Sequence, residues 1–291
     1  MTISAGMVKE LRERTGAGMM DCKKALVENS GNFEKAVEYL RKTGISKAEK
    51  KSGRVAAEGA IGIQQDSKKT VLVEVNCETD FVANDENFKK FVDLVSKTAL
   101  EQEVSSVEDL LICRLNDKSI KEIANELSAK VGEKIDLRRL EMLMNGIGSV
   151  STYLHSGKIG AAVTFDGSDL EAARDIAMHI AAAAPTALDE TEISKDLLER
   201  ERNIYIGQAE SSGKPKEIVE KMVAGKIKKF IKENTLLGQA FVKDQDLTVR
   251  DFAKSKGLAL VSFTRMAVGD GIERKTEDFA EEVAKQVGKK N

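Results

Sequence analysis

The chain has 291 residues, a length that suggests about two compact domains. A hydrophobic fraction of 41% supplies a core, and a net charge of −2 with a pI near 6.0 argues against a protein whose main task is to bind nucleic acid. Aromatic residues make up 4% and Trp is absent, which disfavours base-stacking platforms.

The cysteines and the absence of apolar runs indicate a cytoplasmic protein. Cys22, Cys77 and Cys113 are far apart and form no CxxC pair, which predicts reduced thiols rather than a disulfide or zinc framework. The first residues lack the pattern of a signal peptide, and no apolar run approaches the length of a membrane span. We expect a helix-rich protein that does not associate with membranes.

Residues 1–45 are predicted to form a module of three short helices. Ser4 caps the first helix, and the glycines of residues 15–18 end it. The second helix points Met19 and Cys22 inward. Asn32 caps the third, whose inner face is predicted to carry Phe33, Ala36, Val37 and Leu40.

Residues 46–57 are predicted to be a linker after this module. They are rich in lysine and contain a glycine. Their charges are typical of a solvated spacer, and a patch that binds nucleic acid is the alternative interpretation.

Residues 58–146 are predicted to form the first half of an α+β core. Residues 60–65 and 70–77 read as an antiparallel hairpin with a polar turn between them. Asn84 is the expected cap of the next helix, and Ser105 and Ser119 are the expected caps of two more. Residues 135–143 alternate as a closing strand.

Residues 147–270 repeat this pattern. Strands are predicted at 150–154 and 159–165, a helix is predicted after Ser168, and a second helix after Thr248 leads into a strand at 258–268. Two copies of strand, strand, helix, helix, strand indicate a duplicated α+β core with antiparallel strands.

The second copy is interrupted at residues 189–233 by a predicted antiparallel helical hairpin. Its seam is expected to contain Ile193, Leu197, Ile204, Ile218, Met222, Ile227 and Phe230. The hairpin either folds back as ordinary core or projects as a surface for a partner or a second copy. A C-terminal helical module is predicted at 271–291.

No catalytic constellation is recognisable in the sequence. Its Gly-Lys pairs lack the spaced glycine and following Ser or Thr of a phosphate loop. His179 reads as a half-buried structural residue, and His155 ends a strand without partners that would complete a metal site. We therefore expect no enzyme, no cofactor and no bound metal.

Residues 74–84, EVNCETDFVAN, turn from a strand into a helix and carry the most conspicuous candidate site. Functional side chains often occupy such corners. On the structural interpretation, Thr79 and Asp80 make turn hydrogen bonds and Phe81 seals the hairpin against the next helix. On the functional interpretation, the corner contacts a partner.

Two stretches resemble the signatures of bacterial translation elongation factor Ts. They are LRERTGAGMMDCKKAL at residues 11–26 and the stretch at 74–84. The resemblance extends over essentially the whole chain and implies a ubiquitin-associated-like fold for the N-terminal module. It also implies a guanine-nucleotide exchange factor that binds elongation factor Tu, either GDP-bound or nucleotide-free. A chaperone-like or scaffold protein that binds elongation factor Tu without exchange is the alternative.

The same resemblance implies which residues contact the partner. Thr79, Asp80, Phe81 and Val82 are implied to act beside the partner's magnesium and phosphate site. Further contacts are implied for Arg12, Met19, Met20, His155 and Phe279, and self-association is implied for the helical hairpin. The sequence departs from the family at Ala240, where relatives often carry proline, which leaves the local strand geometry open.

Overall fold

The fold is built on two three-stranded antiparallel sheets that face each other, with helices on their outer faces and a helical module at the N-terminus. It is seen in a computed structural model that describes residues 3–144, 148–210 and 215–273. Within those ranges no helix is both long and apolar enough to cross a membrane.

The N-terminal module contains three helices, α1 (Ala5–Thr15), α2 (Met19–Glu28) and α3 (Phe33–Lys51). The Ser4 hydroxyl accepts a hydrogen bond from the Met7 N–H at 3.2 Å and so caps α1, as predicted. Gly16 ends α1 with φ of 67°, a conformation that glycine adopts at little cost. The buried core of the module consists of Val8, Leu11, Cys22, Ala25, Leu26 and Ala36.

Two expectations for this module are wrong. Met19 and Val37 are exposed rather than inward, because the small module fills its core with the six residues above. Helix α3 continues to Lys51, so the first part of the predicted linker at 46–57 is helical. Only residues 52–57 of the predicted linker are non-helical, and the first strand follows them.

The first half of the core follows the predicted order, with additional short elements. Strand β2 lies between β1 and β5, and both neighbours are antiparallel to it. The elements are β1 (Glu58–Gln65), β2 (Lys69–Cys77), α4 (Asp80–Ala83), α5 (Glu86–Glu101), α6 (Val107–Ile112), β3 (Arg114–Leu115), β4 (Lys118–Ser119), α7 (Ile120–Val131) and β5 (Asp136–Met144).

Side chains alternate along β2 as predicted, and both of its faces are buried. Val71, Val73, Val75 and Cys77 belong to the core under the helices of this half, whereas Leu72 belongs to the core between the two sheets. A central strand with two buried faces requires a cover on each side. The second sheet therefore completes the burial of the first.

Two helix starts in this half differ from the prediction by one residue. Asp85, not Asn84, caps α5: its carboxylate accepts the N–H groups of Asn87 and Phe88. Ser106, not Ser105, caps α6. The capping box of Ser119 and Glu122 at α7 is confirmed.

The second half has the same sheet topology, with β7 between β6 and β10. Its elements are β6 (Ser149–His155), β7 (Ile159–Asp166), α8 (Leu170–Ala183), a 3-10 turn (Glu190–Glu192), α9 (Lys195–Glu210), α10 (Lys216–Asn234), β8 (Ala240–Phe241), β9 (Asp244–Thr248), α11 (Val249–Ser255) and β10 (Ala259–Ala267). Asp169 caps α8 in place of the predicted Ser168.

The two halves also share a feature that the sequence did not reveal. In each, a two-stranded hairpin lies just before the last helix, β3–β4 before α7 and β8–β9 before α11. The last residue of that hairpin, Ser119 or Thr248, caps the helix with its hydroxyl. Equivalent caps at equivalent places support a duplicated core. Ala240, where relatives often carry proline, is exposed in the short strand β8.

Helices α9 and α10 interrupt the second half and pack against each other. Their buried residues are Ala209, Val219 and Val223, with Tyr205, Ile206 and Ile227 partly buried. The predicted seam is therefore wrong at Ile204 and Ile218, which are both exposed.

The two sheets meet through a small apolar core, and one close approach sets their separation. The buried residues between them are Ile61, Leu72, Val150, Ala162 and Met266. A Cβ atom on Gly160 would lie 2.7 Å from the Ile61 Cγ2 atom, so a larger residue there would push the sheets apart.

The carboxylate of Glu74 ties the two sheets together. Its side chain on β2 is fully buried, forms ion pairs with Arg138 and Arg139 of β5, and accepts the Gly269 N–H at 2.8 Å just after β10. Burial alone would raise the pKa of Glu74. The hydrogen bonds from Gly269 and Arg139 and the charge of Arg139 outweigh burial and lower that pKa below its ordinary value.

We expect Glu74→Gln to lower the free energy of unfolding by about 3 kcal/mol near neutral pH, because it leaves two arginines facing a neutral group. A lowered pKa in the folded state stabilises the fold fully above the ordinary Glu value of about 4.3. That contribution is lost as the pH falls through the lowered pKa of the folded state.

Urea denaturation of wild type and Glu74→Gln at several pH values should therefore show a difference in the free energy of unfolding that narrows in acid. Glu233→Gln, which removes an exposed ion pair to Lys229, is the control and should change stability by less than about 1 kcal/mol. A difference between wild type and Glu74→Gln that stays constant into strong acid would contradict this assignment.

Candidate functional site

The corner after strand β2 is a one-turn helix with a side-chain cap. β2 ends at Cys77, and α4 begins at Asp80. Thr79 has an extended backbone, and its hydroxyl accepts the Val82 N–H at 3.4 Å. A hydroxyl at this position satisfies an otherwise free N–H group of the helix start, so the sequence Thr-Asp-Phe-Val turns the chain sharply.

Glu133, in the turn between α7 and β5, binds the backbone of this corner. One of its carboxylate oxygens accepts the N–H groups of Glu78 and Thr79, each at 3.0 Å, and the other accepts the Thr79 hydroxyl at 2.6 Å. In return, the Glu78 carboxylate accepts the Lys134 N–H at 2.6 Å. We call these four hydrogen bonds the Glu78–Glu133 clasp.

Cys77 adds a further hydrogen bond to the corner. Its thiol donates to the Thr79 carbonyl oxygen at 3.1 Å. Burial, with a smaller contribution from the negative charge of Glu133, raises the pKa of Cys77 to about 12. The thiol therefore keeps its proton at neutral pH and remains a donor.

The four residues of the corner separate into two that hold it and two that face solvent. Thr79 makes the bonds above, and Val82 is only 9% exposed against the core of the first half. Phe81 is 84% exposed. Asp80 is exposed too, and its carboxylate makes no hydrogen bond or ion pair to the described part of the chain.

The structural interpretation of the corner is therefore wrong for Phe81. An aromatic ring that sealed the hairpin against the next helix would be buried, whereas this ring is almost wholly in water. Val82 and Ala83 provide the seal instead. An exposed aromatic ring on an anchored turn is typical of a contact to another molecule.

The N-terminal module lies against α7. Arg41 of α3 forms an ion pair with Glu122, and Lys51 donates to the Ser128 carbonyl at 3.1 Å. A Cβ atom on Gly16 would lie 3.3 Å from Lys130, whose ammonium donates to Asn87 at the start of α5 at 2.8 Å.

The candidate residues of the module are at the surface. Met19 and Met20 begin α2, just after the turn that contains Gly16, and Met20 is 75% exposed. Arg12 on α1 is exposed as well. The approach of Gly16 to Lys130, whose ammonium binds Asn87, places this turn near the start of α5.

The two sequence neighbours of His155 line a cleft that also reaches the C-terminal end of α4. His155 ends β6 and is exposed, and the Tyr153 hydroxyl lies 3.4 Å from its Nδ1 atom. A cleft of about 480 Å³ is lined by Ala83 and Asn84 on one side and by Leu154 and Ser156 on the other. The structure thus brings the corner and the His155 turn to one cleft.

His179 has a structural environment and is more deeply buried than predicted. Its Nδ1 atom accepts the Val242 N–H at 3.1 Å, and its Nε2 atom lies 2.9 Å from the Gln239 side-chain oxygen. Burial lowers the pKa of His179. Both ring nitrogens are used to join α8 to the segment after α10, so the ring is not available as a ligand.

Phe279 and most of the predicted C-terminal module at 271–291 lie outside the described residues. Within the described ranges, no group of three or more His, Cys, Asp or Glu side chains is arranged to hold a metal ion.

Sequence reasoning missed Glu133 and the clasp. Glu133 follows the glycine that ends α7, and nothing in its neighbourhood marks it as a site residue. Its partners lie 54 and 55 residues earlier in the chain. Only the folded sheet brings them together.

Comparisons with known proteins identify the family of the chain. A family model described as elongation factor TS matches residues 78–270. Curated elongation factor Ts proteins are similar over nearly their whole length. The protein of Thioalkalivibrio sulfidiphilus is 51% identical over 98% of this chain and 99% of its own. That of Methylococcus capsulatus is 50% identical over 99% of each, and that of Psychrobacter arcticus is 47% identical over 97% and 96%.

These matches show a protein of the translation elongation factor class. The chain belongs to the elongation factor Ts family.

We expect Phe81→Ala to change the free energy of unfolding by less than about 0.5 kcal/mol, because its ring contacts mostly water. Val82→Ala should lower that free energy by about 1.5 kcal/mol, because it removes two buried methyl groups. Urea denaturation of the two variants measures both values. A large loss of stability in Phe81→Ala would show that the ring packs against the fold after all.

Proposed function

We propose that this chain is a guanine-nucleotide exchange factor of protein synthesis. It binds elongation factor Tu carrying GDP and promotes release of GDP, so that GTP can bind. Family membership supports this proposal. The observation that carries it is the 84% exposure of Phe81 on a capped and clasped turn.

The proposed mechanism acts on a magnesium site in the partner. Mg²⁺ bridges the phosphates of the nucleotide and the switch loops of a GTPase, so disturbing its ligands removes a large favourable charge interaction. Phe81 is the residue that wedges into the partner, and Asp80 acts close to the magnesium-binding network. Thr79 and Val82 hold these two side chains in place.

The exchange reaction is reversible in this account. If the factor lowers the affinity of elongation factor Tu for GDP, GDP must lower the affinity of elongation factor Tu for the factor by the same ratio. The complex of factor, elongation factor Tu and nucleotide therefore forms transiently and resolves in either direction. The chain speeds equilibration and does not catalyse a covalent step, so we propose that it is not an enzyme.

Further contacts to the same partner are proposed for three regions. Arg12, Met19 and Met20 are exposed on the N-terminal module. His155 is exposed between Leu154 and Ser156, which line the same cleft as Ala83 and Asn84. Phe279 is proposed from the family resemblance alone. We further propose that the protein acts in the cytoplasm without nucleic acid, membrane or cofactor, and that the module has a ubiquitin-associated-like fold.

The helices α9 and α10 are proposed to join two copies of the chain. Their shared core is small, and Ile204 and Ile218 remain exposed on their surfaces. Exposed aliphatic residues on a helical pair with so little core favour association over an isolated projection.

We expect the wild-type protein to accelerate release of a fluorescent GDP analogue from elongation factor Tu. Phe81→Ala should reduce the release rate at least about tenfold, because truncating an anchoring aromatic ring costs about 2 kcal/mol or more. Asp80→Ala should reduce it as well. Stopped-flow fluorescence measures these rates.

Ile112→Ala is the matched control, because Ile112 is an exposed apolar residue in the same half of the core. It should leave the rate unchanged. A wild-type protein no faster than spontaneous release would contradict the proposed exchange activity, and tight binding without release would favour the scaffold alternative. Unchanged rates in both corner variants would contradict only the assigned site.

Light scattering should give twice the chain mass of 31.8 kDa for the wild-type protein at micromolar concentration. The double variant Ile204→Glu and Ile218→Glu should give the mass of one chain, because it places charges on the proposed contact. Lys229→Glu alters charge on α10 without changing its apolar surface and should remain a dimer. A single-chain mass for the wild-type protein at all concentrations would rule out this dimer.

A further inference from the structure

We propose that Glu133 is a positioning residue for exchange: it holds the backbone at Glu78 and Thr79 so that Phe81 is presented in its binding conformation. This inference rests on the proposed exchange function and adds a residue from a distant part of the chain. Glu133 lies in the turn between α7 and β5 and is half-buried, whereas Phe81 is exposed.

The first reason is that α4 cannot hold its own shape. It has four residues, and a single helical turn is unstable in isolation because its nucleation cost exceeds the gain from one or two hydrogen bonds. Tertiary contacts must therefore fix it. Val82 and Ala83 are buried and anchor the end of α4. The Phe81 ring is exposed and does not anchor it.

The second reason is that the clasp fixes the two residues that precede α4. The Glu133 carboxylate accepts three hydrogen bonds from them, two at 3.0 Å and one at 2.6 Å. Hydrogen bonds to a charged acceptor are stronger than those between neutral groups. The Thr79 hydroxyl that donates to Glu133 also accepts the Val82 N–H, so the clasp and the helix cap share one side chain.

The third reason is that the clasp works in both directions. Glu78 accepts the Lys134 N–H at 2.6 Å and pairs with Arg54 at 3.2 Å. The corner and the turn at 132–134 therefore each use a glutamate to bind the backbone of the other. Loss of Glu133 removes three bonds from the corner and leaves the Lys134 bond, so the corner loosens without detaching from β5.

The consequence differs from that of removing Phe81 itself. If the loosened turn adopts the binding conformation in about a tenth of molecules, the apparent affinity for elongation factor Tu falls about tenfold. Once bound, Phe81 occupies its usual place, so the maximal rate of GDP release is retained. Phe81→Ala instead loses the maximal rate.

The test compares Glu133→Ala, Glu133→Gln and wild type in two measurements. Stopped-flow release of a fluorescent GDP analogue, with the factor varied, should give a half-saturating concentration about tenfold higher for Glu133→Ala, with a maximal rate within about twofold of wild type. Glu133→Gln should restore most of the affinity, because the amide oxygen accepts both N–H groups and the amide nitrogen donates to the Thr79 hydroxyl.

The second measurement needs no partner. Amide hydrogen exchange at Glu78 and Thr79 should be faster in Glu133→Ala than in wild type, because both N–H groups lose their acceptor. Asp251→Ala is the control. It removes a carboxylate that accepts the Thr248 hydroxyl at the start of α11, and it should change neither the release kinetics nor exchange at the corner.

Unchanged affinity and unchanged amide exchange in Glu133→Ala would overturn the inference. A loss of maximal rate without faster amide exchange would also overturn it, because Glu133 would then contact the partner directly. If wild type releases no GDP, the proposed function fails and amide exchange still decides the role of the clasp. If Glu133→Ala does not fold, Glu133→Asp, whose shorter side chain withdraws the carboxylate from the N–H groups of Glu78 and Thr79, takes its place in both measurements.

Discussion

The buried carboxylate of Glu74 is the interaction on which the arrangement of the two sheets depends. It joins β2 and β5 of the first half to the end of β10 in the second, through Arg138, Arg139 and the Gly269 N–H. A fully buried carboxylate is costly unless it is fully paired, and here the pairing spans both halves. The pairing fixes the relation between the Phe81 corner on one sheet and the His155 turn on the other.

The corner combines firm anchoring with a side chain that the fold does not use. Burying a phenylalanine ring is worth about 1.5 to 3 kcal/mol, and the fold leaves that contribution unused for Phe81. The free energy is instead available when a partner covers the ring. Because Thr79, Val82 and the Glu78–Glu133 clasp hold the turn, little of that gain is needed to order the site on binding.

Much of the fold was predictable because its signals are local. Alternation identified the strands, and hydroxyl caps such as Ser4 and Ser119 identified helix starts. Three caps were wrong by one residue because adjacent side chains are equally able to cap, and packing of the helix chooses between them. At α5 the choice fell on Asp85 rather than Asn84.

The functional site was less predictable, and for physical reasons. Sequence alone marked the corner but favoured a Phe81 that seals the hairpin, which is wrong because exposure depends on what packs against the turn. The clasp joins residues more than fifty positions apart, so no local pattern encodes it.

The most direct measurement of the central claim is stopped-flow GDP release from elongation factor Tu at varied Mg²⁺. If the corner acts through the magnesium site, the acceleration over spontaneous release should shrink towards none as Mg²⁺ is removed. An acceleration that is the same at every Mg²⁺ concentration would contradict the account.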